Sequence, residues 1–173
     1  RQPPFNDVRV RQAFAKAIDQ EAISKVVLSG MGSPAYGMTP PGFVGYNADR
    51  LKPHQGFDPA RARELLAEAG YPNGQGFPRM TLWVRQPKPT ERTVTVAIQQ
   101  MLKDNLNVQI NLEEKTMAVF NDRMVKQDIP FGFVWFYADY FDMGGMVDPP
   151  WRYRPAGSGR QDWHNGLFEQ LID

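Results

Sequence analysis

The chain has 173 residues, 42% hydrophobic and 12% aromatic, which suits one domain or one lobe of a larger protein and allows a real core. Its 20 basic and 19 acidic side chains leave a net charge of +1 with no basic run, which argues against nucleic acid and acidic membrane surfaces as partners. There is no cysteine, so disulfides and thiol chemistry are excluded, and no apolar run approaches the ~20 residues of a membrane-spanning helix.

Asn6-Asp7 opens a first helix, with Val8, Val10 or Arg11, Phe14, Ala15 and Ile18 near helical spacing and Arg9, Arg11, Gln12 and Lys16 on the wetter side. Asp19 is placed to cap a second helix from Gln20 to Leu28, ended by Ser29-Gly30. The Gly- and Pro-dense stretch 30–42 reads as an irregular segment crossing the body, packed down by Tyr36, Met38 and Phe43. Asp58 caps the clearest helix, Pro59 takes its first position and Gly70 follows its end, with Ala62, Leu65, Leu66 and Ala69 as its apolar stripe.

Met80 to Arg85 alternates as a strand: Met80, Leu82 and Val84 on one face, Thr81, Trp83 and Arg85 on the other. A helix opening at Thr90 carries Val94, Ala97, Ile98, Met101 and Leu102, and Asn107 is its expected left-handed cap. Val108 to Leu112 is a second strand. Thr116 to Lys126 is a helix with Val119, Phe120 and Met124 inward. Residues 129–138 are an apolar, aromatic run of the kind expected for a third strand covered on both faces. The segments 143–151 and 152–160 read as loops, and the chain ends inside an amphipathic pattern at 166–173. With no initiator Met and no apolar leader at Arg1-Gln-Pro-Pro-Phe5, the ends read as those of a segment cut from a longer protein.

Strand, helix, strand, helix, strand implies a parallel or mainly parallel mixed sheet with flanking helices, an α/β fold. Ligands in such folds bind outside the carboxyl ends of the strands. That rim is where Arg85, the start of the helix at Thr90, and Asp139 fall. At 139–142 the polarity switches abruptly, with Asp139 and Asp142 set among Tyr137, Tyr140 and Phe141. A carboxylate among aromatic rings suits a cationic ligand group. A solvated loop after a core strand is the alternative.

Asp139, Asp142 and Asp148 also raise a metal site or a hydrolytic carboxylate pair, but Asp-x-x-Asp is a weak pattern and no calcium-loop spacing accompanies it. His54 and His164 are far apart, and no nucleophile elbow, phosphate loop or zinc pattern occurs. A hydrolase using Asp139 and Asp142 thus lacks a complete catalytic set. A pure protein-interaction module built on the Pro/Gly loops is the third reading.

Five separated motifs, at residues 4–23, 37–42, 57–72, 138–140 and 163–165, together resemble the peptide/nickel-type solute-binding proteins of ABC transporters. Residues 4–23, Pro-Phe-Asn-Asp-Val-Arg-Val-Arg-Gln-Ala-Phe-Ala-Lys-Ala-Ile-Asp-Gln-Glu-Ala-Ile, look like a family signature. Residues 37–42 are similar to the family's Pro-Pro crossing segment, and 57–72 to its Asp-Pro helix followed by Gly-Tyr. Ala138-Asp-Tyr140 resembles its Trp-x-Ala-Asp-Tyr strand end, and Trp163-His-Asn165 its late Asn-containing segment. The family Trp falls at Phe136, with Trp135 one position early; Tyr140-Phe-Asp-Met143 replaces the usual Tyr-Pro-Asp-Pro, and Asn107 stands where Gly is common.

The resemblance implies one lobe, the carboxyl-side one, of a two-lobed periplasmic binding protein fold. It implies an extracytoplasmic receptor, periplasmic or anchored as a surface lipoprotein, that traps a small peptide or other solute against the missing amino-side lobe and delivers it to a membrane ABC permease without catalysis or cofactor. In peptide-binding members the Asp of Ala-Asp-Tyr receives the ligand's α-ammonium, which here is Asp139. Phe136, Tyr137, Tyr140 and Trp135 are candidate walls, and Arg85 is a candidate for an anionic group.

Overall fold

The computed structural model describes residues 3–37, 39–135, 143–155 and 164–172. Helix α1 (Val8–Ala17) starts where Asp7 accepts the Arg9 amide at 2.8 Å. Asp19 likewise accepts from the Ala22 amide to start α2 (Gln20–Ala22), which runs on as a π-helical turn over Ile23–Val27. Ser29 and Gly30 then take positive φ and end it, as the sequence predicts.

Helix α3 (Ala48–Gln55) is not expected from sequence. It is capped by Asn47, which accepts from the Arg50 amide, but none of its residues is buried, so it carries no apolar stripe to read. Helix α4 (Pro59–Glu68) follows the expected grammar: the Asp58 carboxylate accepts from Arg61, and Gly70 takes φ +97° after its end.

Strand β1 (Met80–Arg85) is the middle of a parallel sheet ordered β2-β1-β3, with β2 at Ile110–Lys115 and β3 at Gly132–Phe133. The parallel α/β expectation holds. The second strand starts two residues later than its alternation suggests, because Val108 belongs to the close of helix α5 (Pro89–Leu106). There Asn107 sits at φ 55°, ψ 30° and the Val108 amide reaches back to the Leu102 carbonyl, a left-handed helix stop. Gly74 makes this junction tight. A Cβ there would stand 2.6 Å from the Leu106 carbonyl oxygen, at a φ of +74°.

The core lies on one face of the sheet. Val10, Ala13, Phe14 and Ala17 of α1, Ala62, Leu65 and Leu66 of α4, and Leu102 and Leu106 of α5 pack with Met80, Leu82, Val84 and Ile110. Phe14 gathers Phe5, Phe77 and Phe131 around it, with ring centroids 5.1 to 5.8 Å apart. The other face meets helix α6 (Met117–Val125), capped by Thr116. Phe120 is buried there against Gly132, where a Cβ would come within 3.0 Å of its ring. Val119 corrects the sequence reading: it is 46% exposed, because the helix turns it away from the face that buries its neighbour Phe120. Val134 is 41% exposed as well, so the run after β3 is not covered on both faces.

The second correction is helix α7 (Met143–Trp151), read from its Gly and Pro content as a loop. Its end is held by an Asp148–Arg152 ion pair at helical spacing and by the Arg152 amide on the Asp148 carbonyl. Helix α8 (Gly166–Ile172) is tied to this segment where Glu169 accepts the Tyr153 amide at 2.9 Å.

Candidate functional site

The carboxyl ends of the three strands bring Arg85, Lys115 and Trp135 to one rim. Arg85 pairs with Lys115 in the β1–β2 register. Two residues beyond Phe133, Trp135 lies half-buried, its ring edge-on to Phe133 at 6.2 Å. The Arg85 guanidinium clamps this corner: Nη2 donates to the Trp135 carbonyl at 2.6 Å and Nη1 to Asn121 Oδ1 at 3.4 Å. It thereby links β1, α6 and the chain leaving β3. The sequence-predicted residues Arg85 and Trp135 are therefore neighbours. Phe136, Tyr137, Asp139 and Tyr140 lie outside the described residues, as does Asp142.

The rim is charged but largely paired. The Lys115 ammonium lies 4.5 Å from the Trp83 ring centroid and pairs with Glu113. Arg92, in the first turns of α5, forks onto Glu114 with bonds of 2.6 and 2.9 Å. That hydrogen-bonded pairing lowers the Glu114 carboxyl and raises Arg92. Glu91, beside it, is different: only 6% exposed, in the first turn of α5, on the stripe with Val94 and Thr95. Sequence reading missed Glu91 and Asn121. The spacing Glu91, Val94, Thr95, Ile98 already placed a carboxylate on the apolar face of α5. Asn121 carries no such signal.

A cavity of about 780 Å³ lies elsewhere, lined by Lys16, Asp19, Tyr36, Lys52, Phe57 and Asp58 among others. Asn105, in the last turn of α5, donates to the Ala17 carbonyl at 2.8 Å, so this end of α1 lies beside the amino ends of the strands, away from the rim. Most of its charges are engaged within the protein. Lys52 pairs with Glu21, Lys16 donates to the Pro53 carbonyl, and Asp19 and Asp58 cap helices. Among the described residues no cluster of His, Asp or Glu suits a metal; Asp148 is paired with Arg152 and Arg154.

Residues 1–158 match the family model of bacterial extracellular solute-binding proteins, family 5 (middle region). The chain belongs to this family. It is 43% identical over 172 residues to the glutathione-binding protein GsiB of Escherichia coli K12, covering 96% of this chain and 31% of that protein. Its counterpart in Shigella flexneri serotype 5b is 42% identical over the same length. The chain thus spans about a third of the length of these relatives. Among solved structures, HbpA2 from Haemophilus parasuis superposes with a TM-score of 0.79 at 28% identity, over 99% of this chain and 34% of that one. A periplasmic oligopeptide-binding protein of Borrelia burgdorferi gives 0.82 at 24% identity, over 99% and 33%, which establishes the shared periplasmic-binding fold. Among the described residues no helix is long and apolar enough to cross a membrane.

Proposed function

We propose that this family member is part of an ABC-importer receptor for short peptides, and that the ligand is trapped between this lobe and an amino-side lobe and passed to a membrane permease. The observation that carries the reading is the identity of 43%, sustained across 96% of this chain, to proteins named for binding glutathione, a tripeptide. The carboxyl rim supports it, since Arg85 holds the chain at Trp135, just before the segment in which Asp139 stands. Asp139 is the proposed ammonium anchor, with Phe136, Tyr137, Tyr140 and Trp135 as walls.

The test is calorimetry on the full-length receptor with dipeptides, tripeptides and glutathione, each with a free and an acetylated amine. Asp139→Asn should weaken binding of the free amines by about 2–5 kcal/mol, the range for breaking an enclosed charge pair. The melting temperature should barely move. A lowered melting temperature with unchanged affinity would mean that Asp139 serves its own lobe. No observation favours the hydrolase or interaction-module readings, and turnover of peptides lost on Asp142→Ala would refute the receptor.

A further inference from the structure

The cavity of about 780 Å³ beside the amino ends of the strands lies apart from the carboxyl rim, and its size falls within the range of small-ligand sites, about 300–1,000 Å³. Its walls are the turn from α1 into α2, helix α3, the Phe57-Asp58 step into α4, and Tyr36. Two bonds draw them together. The Asp58 amide donates to the Lys16 carbonyl at 2.9 Å, and Lys16 Nζ donates to the Pro53 carbonyl at 2.8 Å.

The lining charges are unevenly committed. Lys25 and Lys52 both pair with Glu21, and Lys16 is held on its carbonyl. Asp19 and Asp58 each commit only Oδ1, to a helix-capping amide at 2.9 and 3.0 Å. Asp49 acts on Lys52 only through space. The three carboxylates have no ion pair among the described residues, so what the cavity offers a ligand is negative charge.

Tyr36 is an independent sign of a ligand. It is 6% exposed, and the Lys52 ammonium stands over its ring, 5.7 Å from the centroid. Its hydroxyl has no hydrogen-bond partner among the described residues, yet it is not one of the unpaired atoms shut away from solvent. A nearly buried phenol thus opens a free hydroxyl on the cavity. Phe57, 45% exposed, adds an aromatic face to the lining.

The carboxylates stand on separate elements: Asp19 caps α2, Asp49 lies in α3 and Asp58 caps α4. Among the described residues no three acids or histidines are close enough together to hold a metal ion. Spread negative charge beside aromatic faces suits ammonium groups strung along an aliphatic chain, which reach separate carboxylates while the methylenes cover the rings. We propose that this cavity is a second binding site, for an aliphatic diamine or polyamine. Asp19, Asp49 and Asp58 take its ammonium groups, and the Tyr36 hydroxyl accepts from one of them. The site is separate from the peptide cleft and does not depend on what the cleft holds.

The test is calorimetry of the full-length receptor with spermidine, putrescine and the neutral 1,8-octanediol. Asp19→Asn and Asp58→Asn keep a capping oxygen, Asp49→Asn changes an exposed position, and Tyr36→Phe keeps the ring, so all four variants should fold. Spermidine should bind the wild type at one site, more tightly than putrescine, and the diol should give no heat. Each Asp→Asn change should weaken spermidine about threefold to tenfold, and Tyr36→Phe about threefold. Affinity for glutathione should stay the same in all four. Failure of the wild type to bind spermidine would overturn the site. So would equal spermidine affinity in wild type and all four variants, which would mark a diffuse attraction to negative surface. A parallel loss of glutathione binding would overturn it as well, since the four residues would then act through the fold. The peptide reading is judged separately, by whether the wild type binds glutathione.

Discussion

Arg85 at the end of β1 and Trp135 beyond β3 are 50 residues apart in sequence and joined by a 2.6 Å bond from a guanidinium nitrogen to a main-chain carbonyl. Because the donor is charged and the pair is partly buried, its loss should destabilise the fold by about 1.5–3 kcal/mol. Arg85→Ala in the full-length protein should therefore lower the denaturation midpoint, and Arg85→Lys, which keeps one charged donor, should recover part of it. Equal midpoints for Arg85→Ala and wild type would show that the clamp carries no stability.

This pair marks the boundary of what local sequence reveals. Asp58-Pro59 and Gly70 announce α4, and Met80 to Arg85 announces β1, because caps and alternation are properties of neighbouring residues. The rim position of Arg85 followed from strand order alone. Its partner did not, since a contact between residues 85 and 135 depends on where β3 pairs. Helix α3 was hidden for another reason: with no buried residue it lacks the periodicity that identifies helices. In α7 the Gly and Pro residues outweighed the Asp148–Arg152 spacing that steadies its end.

Asn107 offers a quantitative check on a feature that was legible. Its φ of 55° lies in the left-handed region, and its side-chain amide donates to the Asn73 carbonyl at 3.0 Å. Alanine tolerates that backbone poorly, at about 1–2 kcal/mol. Chemical denaturation should rank Asn107→Ala well below wild type and Asn107→Gly close to it, since glycine loses the exposed amide bond but none of the backbone freedom. The reverse order would mean that the side-chain bond, not the backbone, holds the junction.

The acid limb of stability should reflect Glu114, Glu21 and Asp7. Each carboxyl is held below its ordinary value, first by a side-chain hydrogen bond from Arg92, Lys52 and Arg9 respectively. A depressed folded value means that the unfolded chain binds protons first as pH falls. The contribution is complete above the ordinary values of 3.8 for Asp and 4.5 for Glu and is lost as pH drops through the depressed ones. Glu114→Gln should make the decline below that range shallower. All three pairs are exposed, so salt near about 1 M, where screening acts within ~3 Å, should erase the difference between variant and wild type. A difference that persists in high salt would contradict this account.

Phe14 joins the core to the rim. Its ring is edge-on to Phe5 and to Phe131, and Phe131 leads directly into β3 while its carbonyl accepts the Trp83 amide at 3.1 Å. Phe14→Ala should cost about 3–5 kcal/mol, the usual penalty for emptying a buried aromatic site. The loss should not be even across the sheet. On the β3 side the Trp83 amide depends on Phe131 staying in place. On the β2 side the Gln86 amide donates to the Lys115 carbonyl at 2.8 Å without touching that cluster. Hydrogen exchange on the variant should therefore speed up more at Trp83 than at Gln86. Equal acceleration at both would mean that Phe14 acts only through global stability, and that the aromatic cluster does not set where β3, and with it Trp135, is held.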